Sequence, residues 1–425
     1  HEVGIPGYEL MSRAGHAAFI ATVDRFPDAR RWHVLCGAGN NAGDGYIIAR
    51  LAQQSGCEVT VSALGDPARL SGDAGRAYSE FLNSGGAAMP FEGSYPDDAA
   101  LLVDALLGTG LDRSLQGSYL AAVNMVSQAS APVVAVDIPS GLNGLNGEVM
   151  GAAVRAELTV TFVGLKQGFF VGRGPDHIGD LVFDDLGVPF DAVREVPASL
   201  RVYRQQNLDR LLPVRERAAH KGDFGHVLVV GGNIGMAGAA RMAGEAALRA
   251  GAGLVTVATR PENAAAIHGQ RPELMCCSVK KPQALTDVLK RATVIALGPG
   301  LGRDMWAASL VLWLLRTPQP KVIDADALNN IAHKKPKRRD DWILTPHPGE
   351  AARLLRTDTA TIQRDRMTAA TELARLYGGA VVLKGRNTLI ASSDNDTTVI
   401  PAGNPGMASA GMGDVLTGII AGVLA

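Results

Sequence analysis

Short apolar runs, each ending near glycine, serine or a carboxylate, recur along the chain and alternate with longer stretches of mixed polarity. In the first half, the runs 32–36, 58–64, 101–105, 133–137 and 158–163 are largely apolar or β-branched on both faces. That is the pattern of parallel strands covered by helices on either side. A helix is predicted over 46–54, after a glycine-rich turn. The pattern breaks at 195–217, an Arg-rich stretch punctuated by Pro197 and Pro213, and a domain boundary is placed there. It then restarts with a strand at 226–230, a glycine-rich turn at 231–238, a helix at 239–250 and a strand at 254–258. Further strands are predicted at 294–297, 322–324, 342–344 and 380–383. Such alternation predicts an α/β protein, here with two domains, 1–205 and 210–425.

The chemistry gathers at the ends of these runs. Cys36-Gly37, Asp104 with Gly108, Asp137 with Ser140, and Lys166 with Gly168 follow strands of the first half. In the second half the strand ends carry 298–302, Asp324 and Asp326, 345–350, and 384–388. An open α/β sheet binds ligands outside the carboxyl ends of its strands, so these residues are expected to converge.

Composition narrows the class. Apolar residues make up 47% of the 425, which excludes a disordered chain. The 50 glycines, about 12% against a usual ~7%, lie at strand ends, where backbone must come close to phosphates. With 41 Lys+Arg against 42 Asp+Glu the net charge is −1, which argues against nucleic acid as a partner. The basic run 334–339 reads as a solvated loop. Cys36, Cys57, Cys276 and Cys277 show no C-x-x-C spacing and read as reduced thiols of a cytoplasmic protein. No uncharged apolar run reaches the ~18 residues that span a bilayer. The chain opens on His1 and closes inside an apolar run, 415–425, so it is read as an excerpt of a longer protein.

The glycine-rich segment 36–45 follows a strand, and its free N–H groups and helix dipole suit an anion. It lacks the G-x-G-x-x-G register, and no acidic residue closes the second strand as in a dehydrogenase. Its polar insert, Asn40-Asn41 and Asp44, together with Asp104, Asp137 and Ser140, supplies hard oxygen ligands and acid/base groups.

Three motifs in order, Gly-Asn-Asn-Ala-Gly-Asp-Gly (39–45), Asp-Ala-Leu-Leu-Gly-Thr-Gly (104–110) and Asp-Ile-Pro-Ser-Gly (137–141), resemble the epimerase domain of NAD(P)H-hydrate repair enzymes. The resemblance spans roughly residues 1–200 and implies a Rossmann-like three-layer sandwich. It implies that Asn40, Asn41, Ala42, Gly43 and Asp44 contact the hydrated dinucleotide, with Gly108, Thr109, Gly110, Leu111, Asp112, Arg113, Ser114 and Asp137. It also implies a potassium ion (K+) held by Asn41, Asp104 and Ser140, oxygen donors that suit a hard cation. The reaction exchanges the R and S forms at C6 of the hydrated nicotinamide ring. That needs a group able to give and take a proton, for which Asp137 is the candidate. Lys166 is either its electrostatic helper or a salt-bridged surface lysine.

In the second half, Gly411-Met-Gly-Asp414 opens an apolar helix. Successive N–H groups there can surround an anion, with a carboxylate beside a transferred phosphoryl group; the bland alternative is an Asp414 that only caps the helix. With 221–226, 235–239, 298–302, 324–329, 345–350, 384–388 and 403–407, this motif resembles the ribokinase-like dehydratase domain of the same enzymes. The whole chain therefore resembles a bifunctional NAD(P)H-hydrate epimerase/dehydratase, whose second half is a ribokinase-like α/β domain. The resemblance implies that Ala239, Gly302, His347 and Asp414 touch hydrated NADH or NADPH. It implies that Lys384, Gly385, Arg386, Asn387, Thr388 and Gly413 hold ADP, the co-substrate, accompanied by Mg2+. Asp414 is the implied base, helping the C6 hydroxyl attack the terminal phosphate. The roles of Asp324 and Asp326 stay open between magnesium and fold. Ala410 stands where the family commonly has glycine, and the domain's last helices are expected beyond Ala425. An assembly of identical subunits is expected. The rival readings are a ribokinase-type small-molecule kinase with an accessory nucleotide domain, and a non-catalytic NAD(P)-binding sensor. The polar groups at nearly every strand end speak against the second, and the Asn40–Asp44, Asp104 and Asp137 set against the first.

Overall fold

The structure, a computed structural model, describes residues 4–203, 211–212, 214–269, 271–334, 336–393 and 397–425. The chain forms two compact units, the first reaching Pro197 and the second beginning at Ala198. Part of the proline-punctuated boundary, 204–210 and Pro213, lies outside the described residues, as does Lys335 of the basic run.

The first unit is built on seven parallel strands, β1 (Arg31–Cys36), β2 (Glu58–Ala63), β3 (Ala88–Pro90), β4 (Leu101–Ala105), β5 (Val133–Val136), β6 (Leu158–Phe162) and β7 (Asp180–Asp184). Their spatial order is β3-β2-β1-β4-β5-β6-β7. Alternation along each strand sends side chains to two cores. Val34, Cys36, Leu101 and Val103 pack with Ala18, Tyr46, Ile47 and Phe81 from helices Gly7–Arg25, Asn40–Gln54 and Gly72–Asn83. Leu35 and Leu102 face the other way, onto Val123 and Val126 of helix Gly117–Ser127. The result is a three-layer, Rossmann-like sandwich. Strand order runs outward from β1 to β3, then reverses past β1 to β4 and beyond, so β1 and β4 flank the crevice where ligands of such sheets bind.

The second unit holds ten strands, β8 (Leu200–Val202), β9 (His226–Val230), β10 (Leu254–Thr259), β11 (Met275–Ser278), β12 (Val294–Leu297), β13 (Lys321–Ile323), β14 (Trp342–Leu344), β15 (Ala380–Leu383), β16 (Thr388–Ser392) and β17 (Thr397–Ile400). Their order is β11-β10-β9-β12-β13-β14-β15-β16-β17-β8. From β11 to β15 neighbours are parallel, and β15, β16 and β17 form antiparallel pairs. Strand β8 pairs with β17, so residues 200–202 belong to this sheet rather than to the first domain as expected from the sequence. Strand order again reverses, here between β9 and β12.

Two helices set the geometry of this second crevice. Helix Met412–Leu424 lies against helix Ala237–Arg249 with no side-chain layer between their closest points. A Cβ on Gly418 would fall 2.1 Å from the carbonyl oxygen of Ala243, and one on Gly422 2.5 Å from that of Ala247. Glycine is therefore required at both positions, and the first turn of helix Met412–Leu424 is placed by backbone contact.

Candidate active sites

In the first unit the chain leaves β1 through Gly37, where a Cβ would lie 1.9 Å from the carbonyl oxygen of Leu106. It enters a helix at Asn40, not at Tyr46 as the sequence pattern predicts. The polar insert is thus the first turn of helix Asn40–Gln54, whose unpaired N–H groups favour an anion. A cavity of about 1150 Å³ opens beside it, lined by Asn40, Asn41 and Asp44, by Gly108, Thr109, Gly110, Leu111, Asp112, Arg113 and Ser114, and by Asp137 and Lys166. Ala42 and Gly43 do not line it. Ala42 is fully buried, and a Cβ on Gly43 would meet the sulfur of Met11 at 2.5 Å. These two small residues let the helix sit close to its neighbours, and the expected ligand contact is not among the contacts of their side-chain positions.

Asp137 follows β5 in the left-handed region, φ 67°, a conformation that costs a non-glycine residue about 1–3 kcal/mol. Its N–H donates to the carbonyl of Val160 at 2.7 Å. Lys166 donates to the Asp137 carboxylate, to Thr161 Oγ1 at 2.8 Å and to the Phe162 carbonyl at 3.2 Å. Both side chains of the pair are largely sequestered, 14% and 19% exposed, so Lys166 is no surface lysine. A Cβ on Gly108 would lie 3.7 Å from Asp137 Oδ2 and 3.7 Å from Asn41 Cβ, which brings the three motifs to one point. Asp44 is half-buried on the same wall. Burial, and then the negative charge of Asp137, hold its carboxyl well above the usual range.

Asp104 is fully buried behind the cavity. Its carboxylate accepts from Ser140 Oγ at 2.6 Å, from the Ser140 N–H at 2.8 Å and from the Leu106 N–H at 3.3 Å. Burial pushes its carboxyl up to about 6 against the pull of those hydrogen bonds. Among the described residues it has no cationic partner. A buried, uncompensated carboxylate with the Ser140 hydroxyl beside it fits a hard monovalent cation.

In the second unit one carboxylate gathers four elements. Asp324, after β13, accepts from Lys384 Nζ at 2.7 Å, from Thr345 Oγ1 at 2.8 Å and from Thr417 Oγ1 at 2.8 Å. These partners follow β15, follow β14 and ride on helix Met412–Leu424 respectively. Lys384 also lies 3.8 Å from Glu350. A Cβ on Gly413 would sit 3.4 Å from Lys384 Nζ, so the Gly411–Asp414 turn meets the lysine. Gly411 is the N-cap at φ 90° and Asp414 lies within the first turn, so Asp414 does not cap the helix. Burial, then the charges of Asp324 and Asp326, raise the Asp414 carboxyl to about 6 against the pull of Lys384. Ala410 is exposed and outside the left-handed region, so its Cβ does not crowd the turn.

The remaining expected contacts divide. Gly302 donates its N–H to Asp326 at 2.8 Å, and Ala239 underlies Gly300, whose Cβ would come within 2.9 Å of the alanine Cβ. Both belong to the β9–β12 side. Lys384, Gly385, Arg386 and Asn387 form the turn between β15 and β16, and Thr388 opens β16. His347 caps helix Pro348–Leu355: its Nδ1 accepts from the N–H groups of Gly349 and Glu350, and Glu350 accepts from the His347 N–H. Burial and the charges of Lys384 and Arg353 lower its pKa, so the ring is neutral near pH 7. Thr161 and Thr417 escaped the sequence reading. Thr417 alone left a signal, three residues after Asp414 on one helix face.

A carboxylate–lysine pair sequestered at strand ends of each sheet defines an α/β enzyme with two small-molecule sites. Residues 7–168 match the family model described as YjeF-related protein N-terminus, and 227–425 the one described as NAD(P)H-hydrate dehydratase. The chain is 48% identical to the bifunctional NAD(P)H-hydrate repair enzyme Nnr of Coxiella burnetii, covering 100% of this chain and 87% of that protein. The corresponding enzyme of Escherichia coli K12 is 44% identical, over 99% and 81%. A crystal structure of a ribokinase-like superfamily protein from Enterococcus faecalis superimposes with a TM-score of 0.50 at 31% identity, covering 53% of this chain and 80% of that one. The chain belongs to the family of bifunctional NAD(P)H-hydrate repair enzymes.

Proposed function

We propose that the protein repairs hydrated nicotinamide cofactors at two sites, epimerising R- and S-NAD(P)H hydrate in the first unit and dehydrating the S form in the second with ADP. The observation that carries this reading is the repeated carboxylate–lysine pairing, Asp137 with Lys166 and Asp324 with Lys384, each at strand ends beside a crevice.

In the first unit the helix start at Asn40 and the 108–114 segment, with Arg113, hold the dinucleotide, and Asp137 lies against C6. The C6 hydroxyl sits next to the ring nitrogen, whose lone pair drives the C–O bond open. Asp44, whose carboxyl is held above the usual range by burial and the charge of Asp137, gives a proton to the departing hydroxyl, which leaves as water. Water then adds from the opposite face and Asp137, oriented by its hydrogen bond from Lys166, takes its proton, which returns to Asp44 through solvent before the next turnover. Asp104, Ser140 and Asn41 would hold K+, which when bound supplies the positive charge this buried carboxylate lacks.

In the second unit the 384–388 turn and Gly413 hold ADP, while Ala239, Gly302 and the exposed side of His347 face the hydrated ring. Asp414 takes the C6 hydroxyl proton as that oxygen attacks the terminal phosphate, with Lys384 beside the transferred group. Phosphate then leaves C6, a proton leaves C5, and the C5–C6 double bond of NAD(P)H returns, with AMP as the other product. Asp324, Asp326 and Asp414 outnumber Lys384, an excess of negative charge that fits Mg2+ arriving with the nucleotide and supplying charge at its phosphates.

The reading places the enzyme in the cytoplasm as an assembly of identical subunits. Free thiols at all four cysteines support the compartment, and no described helix is long and apolar enough to cross a membrane. The test is incubation with hydrated NADH, with and without ADP–Mg2+. Asp414→Asn is expected to stop ADP-dependent recovery of NADH absorbance and leave R/S exchange intact, and Asp137→Asn to do the reverse. Loss of both activities from one substitution in a folded protein would refute the division.

A further inference from the structure

Arg366 opens helix Arg366–Tyr377 and is 5% exposed. Its guanidinium is enclosed by the turn between β15 and β16. Nη1 donates to the carbonyl oxygens of Arg386 at 2.6 Å and Asn387 at 3.3 Å, and Nη2 to those of Leu383 at 3.2 Å and Lys384 at 3.3 Å. Both limbs of the turn therefore close on one cation. Nε is buried without a partner, and among the described residues no carboxylate pairs with the group. Burial lowers its pKa to about 10, so the guanidinium stays charged at neutral pH. At the apex Gly385 adopts φ 144°, and a Cβ there would lie 2.9 Å from Nη2.

We infer that Arg366 is a positioning residue for the nucleotide: from behind the 384–388 turn it fixes the backbone that holds ADP and sets a buried positive charge beneath it. The inference rests on the reading that this turn is the ADP site. Four carbonyls drawn inward hold the turn in one shape before the ligand arrives, which spares the ordering entropy that binding otherwise meets. A cation with no carboxylate partner in a low-dielectric setting also acts on a nearby anion more strongly than a solvated one. Only a guanidinium can do this, because its planar fork presents parallel donor pairs while an ammonium is a single point. The effect falls on ADP affinity and not on the phosphoryl-transfer step, since Arg366 reaches the turn's carbonyls and none of Asp324, Lys384 Nζ or Asp414.

The test measures ADP binding by titration calorimetry on the full chain, with kcat at saturating ADP and the epimerase rate as companion readouts. Arg366→Lys is expected to weaken ADP about tenfold, the loss of roughly one charge-assisted contact, with kcat held within about twofold and epimerisation unchanged. Gly385→Ala, which disturbs the same clamp from the other side, is expected to act in the same direction. Arg366→Met is expected to weaken ADP further; should it fail to fold, the other two variants decide. An unchanged ADP Kd in folded Arg366→Lys and Gly385→Ala, or a fall in kcat with Kd held, overturns the inference. Lys384→Ala separates the two levels. If it weakens ADP while Arg366→Lys does not, the clamp alone is wrong; if neither does, the turn is not the ADP site.

Discussion

The hydroxyl of Thr417 donates to the buried carboxylate of Asp324 at 2.8 Å, fastening helix Met412–Leu424 to the end of β13. Replacing Thr417 by Val keeps the volume but leaves that carboxylate oxygen without its donor, which costs about 1–3 kcal/mol. Thermal unfolding of the second unit is expected to shift down by several degrees. Dehydration is expected to slow, because the same helix carries Asp414, while R/S exchange in the first unit keeps its rate.

The Asp414 carboxyl stands near 6, above the usual range for an aspartate. A base must be ionised, so dehydration is expected to be fully active well above that value and to fall about tenfold per pH unit well below it. The measurement is kcat/KM against pH, which reports the free enzyme. A profile flat down to pH 4.5 would remove Asp414 from the role of base. The raised value also means that ionising Asp414 opposes folding. The stability it contributes is present below its unfolded-state pKa and declines as pH rises through about 6.

Lys166 orients the Asp137 carboxylate through its hydrogen bond. Lys166→Met is expected to lower epimerisation by about 10²-fold, within the range for a displaced acid–base group. Asp137→Asn should lower it at least as much. The double variant is expected to be little worse than Asp137→Asn alone, since the two act as a unit.

Asp104 is a buried carboxylate with no cationic partner among the described residues. Potassium salts are expected to raise the melting temperature of the first unit relative to tetramethylammonium salts at equal ionic strength, by roughly 2–4 °C for each kcal/mol of binding. Asp104→Asn should abolish the difference. Equal melting in the two salts would dismiss the ion.

The strands and crevices were legible because apolar runs and their polar ends obey simple periodicity, as at 226–230 and 294–297. The start of helix Asn40–Gln54 was not, because asparagine and glycine are poor helix formers and their packing partners lie far away in the sequence, as Met11 does for Gly43. The resemblance implies His347 as a ligand contact, and in the fold Pro348 and Glu350 beside it are what a capped helix start favours. Arg366 was invisible. No motif surrounds it, and its importance comes from four carbonyls that are nearby only once β15 and β16 pair.

The glycines at 418 and 422 leave the second crevice one wall that cannot be retuned. With backbone touching backbone there, any larger residue would drive the two helices apart and carry Asp414 with them. A change in what this unit accepts must therefore be written in its loops, such as 384–388. The helix pair is a fixed datum against which those loops can vary.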